Sequence, residues 1–111
     1  MLRTLDKATV KTLLGELKAG LQAIYGDRLK GLYLYGSYAR DEADPESDLD
    51  VLIVLERYDL YSAEIGRTSQ LISSLCLKYS VSVSRVFVSE EKWRNYDSRF
   101  LRNARAEAIA A

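Results

Sequence analysis

The amino-acid sequence predicts an α/β or α+β domain in which helices flank a small mixed sheet. Three observations predict it. The segment Asp6–Tyr25 carries apolar residues at helical spacing, three later runs are apolar and rich in β-branched or aromatic residues, and helical patterns fill most of the intervals between and after those runs. The expected order is α-β-α-β-α-β-α, a sheet of three strands or slightly more, in a single domain spanning 1–111.

Val10, Leu13, Leu14, Leu17, Leu21 and Ile24 recur at intervals of three and four, which marks one face of a first helix, and Gly26 is placed to end it. KGLYLYG follows. Its alternation of Leu32 and Leu34 with Tyr33 and Tyr35 favours a strand, which Gly36 breaks. SYARDEA predicts one or two helical turns, and Asp44-Pro45 marks a bend because proline biases its predecessor away from helix. LDVLIVLE reads as a strand buried on both faces. From about Leu60 to Tyr79, Ile65, Ile72, Leu75, Cys76 and Tyr79 recur at helical spacing, with Gly66 a weak point. VSVSRVFV is a third strand. Ser89 is an N-cap for a helix whose first turn holds Glu90 and Glu91, which suit the positive end of its dipole. FLRNARAEAIAA predicts a final helix.

Connection length sets strand direction. A parallel crossover needs a dozen or more residues including its helix, and the short stretch from Gly36 to about Ser47 makes the first two strands antiparallel. The long helix after the second strand allows a parallel crossover to the third. The end of the first strand and the starts of the second and third then share one rim of the sheet.

Composition narrows the function. Sixteen basic residues balance sixteen acidic ones and no stretch is a strong Lys/Arg block, so nothing predicts strong direct nucleic-acid binding. A single cysteine, Cys76, rules out an intrachain disulfide framework, and without histidine the usual zinc ligand sets are absent. Cys76 sits among apolar residues and reads as a small core residue. MLRTLDKATVK scatters charge where a leader would have an apolar core, and no window is apolar for long enough to span a membrane. A cytoplasmic location is expected, and the oligomeric state, a homo-oligomer included, is left open.

The chemistry concentrates in GSYARDEADPESDLD. Asp48 and Asp50 on an extended chain face the same side, their Cα atoms roughly 6.5 Å apart at about 3.3 Å rise per residue. Such a pair is costly without a cation and suits Mg²⁺ completed by water and substrate phosphates. Gly36 and Ser37 lie at a strand end, where glycine lets a ligand approach the backbone and the amides and hydroxyl can donate to phosphate. Arg40, one helical turn beyond Ser37, adds positive charge for phosphate or a partner. The run Asp44, Glu46, Asp48, Asp50 does not fit a calcium loop, since Leu49 stands where that loop needs glycine and Leu55 where it needs glutamate.

Gly36-Ser37, ten intervening residues and Asp48-Leu49-Asp50 entering an apolar strand resemble the nucleotidyltransferase signature of the DNA polymerase β superfamily, and the minimal nucleotidyltransferase (MNT) family in particular. The resemblance covers nearly the whole chain. It implies a polymerase β nucleotidyltransferase-like fold, with Asp48 and Asp50 as catalytic metal ligands and Gly36, Ser37 and Arg40 at the phosphates. It also implies Mg²⁺-dependent transfer of AMP from ATP, and pairing with a nearby-encoded HEPN-type toxin that the MNT protein silences as antitoxin, in some members by modifying a tyrosine.

The sequence departs from that pattern in the third carboxylate, which active members carry on the next strand; here Ser82 or Ser84 stands in its place, and Glu90 and Glu91 come too late. Tyr33, Tyr35 and Tyr38 cluster near the motif as packing residues, and Trp93 and Phe100 are expected in the core or at a partner contact. Two functional readings follow. One is an AMP-transferring antitoxin; the alternative is a binding module that keeps the fold, has weak or no catalysis, and neutralises its partner by complex formation. A third, transfer to a small molecule, is poorly served by so short a chain.

Overall fold

The computed structural model describes residues 4–111, so the first three residues of the N-terminal stretch lie outside it. Helix α1 (Lys7–Tyr25) starts at Asp6, whose carboxylate accepts the Thr9 amide N–H, and ends at Gly26, which adopts φ 56°. A 3₁₀ turn, Gly26–Arg28, feeds strand β1 (Leu29–Tyr35). Strand β2 (Leu49–Leu55), helix α2 (Tyr61–Tyr79) and strand β3 (Val83–Ser89) follow. Helix α3 (Glu90–Asn95) begins under the Ser89 cap, helix α4 (Arg99–Glu107) under Ser98, and a two-residue strand β4 (Ile109–Ala110) completes the order.

The sheet runs β3-β2-β1-β4, with β1 antiparallel to β2, β2 parallel to β3 and β4 antiparallel to β1. The directions inferred from connection length are those observed, and the shared rim follows. Buried on both faces, β2 forms the centre of the sheet, as its unbroken apolar run requires.

One face carries Leu32, Leu34, Leu49, Val51, Ile53 and Leu55 against α1 and α2, which supply Leu13, Leu17, Leu21, Ile72 and Leu75. The opposite face holds Leu52, Val54 and Val88 beneath Leu101 and Ala104 of α4, with Tyr33, Tyr35 and Trp93 packed at its margin. Tyr33 and Trp93 stack with ring centroids 4.9 Å apart, and Tyr35 meets Phe100 edge-on at 5.7 Å. Cover on this second face is thin. Phe100, Tyr96 and Ile109 remain substantially exposed.

Polar groups lock the helices onto the sheet. Arg85 of β3 donates to Thr68 Oγ1 and to the Ile65 carbonyl of α2, both at 2.8 Å. Glu64 of α2 is buried and accepts the Tyr25 hydroxyl at 2.8 Å and Arg67 Nε at 3.2 Å. Among the described residues no buried side-chain nitrogen or oxygen lacks a partner.

SYARDEA makes a single helical turn, with Arg40 N–H on the Gly36 carbonyl and Glu42 N–H on that of Ser37, before Asp41 at φ 59° leaves the right-handed helical region and ends it. Three expectations change. Ile24 is exposed, and the adjacent Tyr25 turns inward to reach Glu64. Glu64 and Thr68, not only the apolar residues of α2, line its buried face. The predicted final helix stops at Glu107, because the free edge of β1 offers backbone partners that extend the chain into β4. No helix among the described residues is long and apolar enough to cross a membrane.

Removing the Tyr25 hydroxyl deprives buried Glu64 of one of its two partners. Tyr25→Phe is expected to cost about 1–3 kcal/mol in equilibrium urea unfolding. An unchanged midpoint would show that Arg67 alone satisfies the carboxylate.

Candidate functional site

The site grows out of the register between three strands. Tyr35 at the end of β1 pairs with Asp50 near the start of β2, and Asp50 pairs with Ser84 of β3. Residues on one rung point to the same face, so these three side chains emerge together on the α3–α4 side, in line with Leu52 and Val54. Asp48 lies two residues earlier, exposed at the rim.

Gly36 follows Tyr35 at φ 76°, a backbone conformation that costs little only for glycine. The Asp50 carboxylate packs directly over its Cα. A β-carbon at Gly36 would overlap Asp50 Oδ2 and stand 3.1 Å from Cγ. Ser37 is partly exposed and opens the turn that carries Arg40 back toward the rim. Beside Asp48 lies a polar cleft of about 250 Å³ lined by Ser47, Ser80, Ser82 and Cys76 among others.

Burial, and then the charge of Asp48, push the Asp50 carboxyl above its ordinary value, while Arg40 pulls it down. Asp48 and Asp50 together form a hard-oxygen donor pair of the kind Mg²⁺ takes. Tyr35 is pushed up to about 12 by burial and the adjacent Asp50. It is therefore a neutral hydroxyl on the rung.

Of the expected site residues, Gly36, Asp48 and Asp50 come together as the motif suggested, with Ser37 next to them. Arg40 reaches the same rim through an unforeseen intermediary. Its Nη1 lies 3.0 Å from Glu107 Oε2, its Nε 3.1 Å from Glu42, and Glu107 Oε1 accepts the Gly36 amide N–H at 2.9 Å. Glu107, at the end of α4, was invisible to motif reading. It stands seventy-one positions from Gly36 inside what reads as an alanine-rich helix. Of Ser82 and Ser84, it is Ser84 that shares the Asp50 rung, whereas Ser82 is exposed and offers its carbonyl to the Leu49 amide. Tyr38 turns away from the carboxylates, its hydroxyl accepting the Leu5 amide N–H. The described residues contain no cluster of three or more Asp, Glu, Cys or His suited to a metal.

A mixed sheet whose rim sets a strand-end glycine against the second carboxylate of an Asp-x-Asp pair defines the class: a nucleotidyl-transferring enzyme. A family model described as nucleotidyltransferase domain matches residues 14–106, and the chain belongs to that family. Two candidate protein adenylyltransferases of Methanocaldococcus jannaschii are similar to it. One is 36% identical over 76 residues, covering 68% of this chain and 70% of the relative. The other is 34% identical over 74 residues, covering 67% and 74%. Among solved structures, a toxin–antitoxin with AMP-PNP superposes with a TM-score of 0.63 at 17% identity, over 86% of this chain and 69% of that one. A mutant of the MntA–HpeT toxin–antitoxin gives 0.56 at 17% identity, over 97% and 72%. These two likenesses establish the shared fold.

Two outcomes test the geometry. Gly36→Ala should lose more than about 1 kcal/mol of stability, from the positive φ and the displaced carboxylate together, as read by thermal and urea melts. Asp50 has its carboxyl raised, so the stability it confers is fully present below 3.8 and is lost as pH rises through the higher folded-state value. Asp50→Asn should therefore melt above wild type at pH 7 in EDTA, and the gap should close as pH falls toward 3.8. Wild type melting at or above the variant at pH 7 would contradict the strained pair.

Proposed function

We propose that the protein is the MNT-type antitoxin of a toxin–antitoxin pair and that it transfers AMP from Mg²⁺-ATP to a hydroxyl of its partner. The partner is a HEPN-type toxin, the acceptor a tyrosine on it, and the setting the cytoplasm. The observation that supports the reading is the packing of the Asp50 carboxylate over Gly36, which brings the group proposed for metal and the backbone proposed for phosphate within one ligand's reach. Kinship with two candidate protein adenylyltransferases supports a protein acceptor, and the fold shared with toxin–antitoxin structures supports a toxin partner.

In this reading Asp48 and Asp50 hold Mg²⁺, and Gly36, Ser37 and Arg40 hold the β- and γ-phosphates. The metal, when bound, neutralises phosphate charge and polarises the α-phosphate. The chain's own work is positional. The β1–β2 rung fixes Asp50, and the turn after it would offer phosphate oxygens the Gly36 N–H, once Glu107 leaves it, and the Ser37 hydroxyl, which suits a reaction driven by alignment and electrostatics. The acceptor oxygen bonds to the α-phosphorus as the bond from that phosphorus to the α–β bridging oxygen breaks; pyrophosphate leaves and the hydroxyl proton passes to water.

Ser84 favours a second reading. On the Asp50 rung it can orient water but adds no charge, so metal affinity and activation of the acceptor hydroxyl are weaker than a carboxylate would give. The protein would then act by covering its partner.

Covalent transfer from α-labelled ATP separates the two. With the neighbouring gene product and Mg²⁺, label is expected on the partner. Asp48→Asn should reduce it by more than about 100-fold, since even second-shell changes at metal sites cost 10–100-fold. A tight complex that never acquires label would establish the covering mode.

A further inference from the structure

Two of the three groups assigned to phosphate, the Gly36 N–H and Arg40, are already engaged by an anion of the chain itself. Glu107 Oε1 accepts the Gly36 amide N–H at 2.9 Å, and Glu107 Oε2 lies 3.0 Å from Arg40 Nη1. A carboxylate bridging a backbone N–H and a guanidinium uses the donors a phosphate oxygen pair would use. One N–H in this position cannot serve both.

We infer that Glu107 is an internal competitor for the phosphate cradle, so that a nucleoside triphosphate binds by exchange: its phosphate enters the Gly36–Arg40 bridge and the Glu107 carboxylate leaves. The inference rests on the nucleotide reading of this rim. It adds that the cradle has a closed state built into the fold. The Gly36 N–H, and then Arg40, hold the Glu107 carboxyl below its usual range, so the competitor is ionised at neutral pH and is not removed by protonation there.

Release would be felt beyond the site. Glu107 is the last residue of α4, and the chain beyond it crosses to β1, where Ile109 and Ala110 pair with Leu34 and Tyr33. The Ala111 amide N–H donates to the Leu32 carbonyl at 2.9 Å, and Lys18 Nζ donates to the Ala111 carbonyl at 3.0 Å. This two-residue strand is held by few bonds, and withdrawing Glu107 from Gly36 removes the anchor at its upstream end. Ligand at the rim should therefore loosen β4.

The test is calorimetric titration of inorganic tripolyphosphate, and separately of ATP with Mg²⁺, into wild type and Glu107→Gln, with Glu107→Ala as a second variant. A cradle closed nine-tenths of the time weakens apparent affinity about tenfold, so the variants should bind both ligands about tenfold more tightly while melting slightly lower without ligand. A purely structural Glu107 would lower melting and affinity together, and equal or weaker binding by variants that remain folded would overturn the inference while leaving the nucleotide reading intact. If neither wild type nor folded variants bind either ligand, both readings fall. In wild type, Mg²⁺-ATP should speed hydrogen exchange at the Ala111 amide; unchanged exchange under saturating ligand would refute the coupling to β4.

Discussion

The antiparallel register of β1 on β2 is the constraint on which the rest of the site depends. Side chains alternate faces along a strand, so a slip of one residue would turn Asp50 into the α1–α2 core and bring Leu49 or Val51 out in its place. The register is held by Leu32 and Leu34 on one side and Tyr33 and Tyr35 on the other, each matched to its own layer. Hydrophobic patterning thus positions a carboxylate. Gly36 can turn beneath that carboxylate only because the rung above it is fixed.

Around this register the molecule divides into a well-covered and a thinly covered side. Two nineteen-residue helices, α1 and α2, pack on one face, and Arg85 and Glu64 bind α2 to the strand and helix beside it. The other face receives only α3 and α4, six and nine residues long. Asp50 and Ser84 emerge, half-buried, on that thinly covered side. The candidate rim and the main core thus lie on opposite faces of one sheet.

Much of this was legible in the sequence because it follows from local patterns. Helical periodicity located α1 and α2, alternation located β1, and the length of the connection after Gly36 set the strand directions. The Asp48–Asp50 pair was visible because two residues on a strand share a face. The missing parts depend on distant partners. Asp41 ends the turn after Ser37 by adopting positive φ, which composition does not disclose. Glu64 looks like one more solvated helical charge until Tyr25 closes over it. Glu107 and β4 were lost for the same reason, since alanine-rich sequence favours helix and only the open edge of β1 draws it into a strand.

The unequal cover has a consequence for how the molecule comes apart. Elements with little buried apolar surface open at a lower free energy than the global transition, and α3, α4 and β4 are the elements of that kind here. Their detachment would leave α1, α2 and the three long strands intact, with Asp48, Asp50 and Gly36 still on the standing part. The rim that carries them belongs to the last region to unfold, and the segment that brings Glu107 to it belongs to the first.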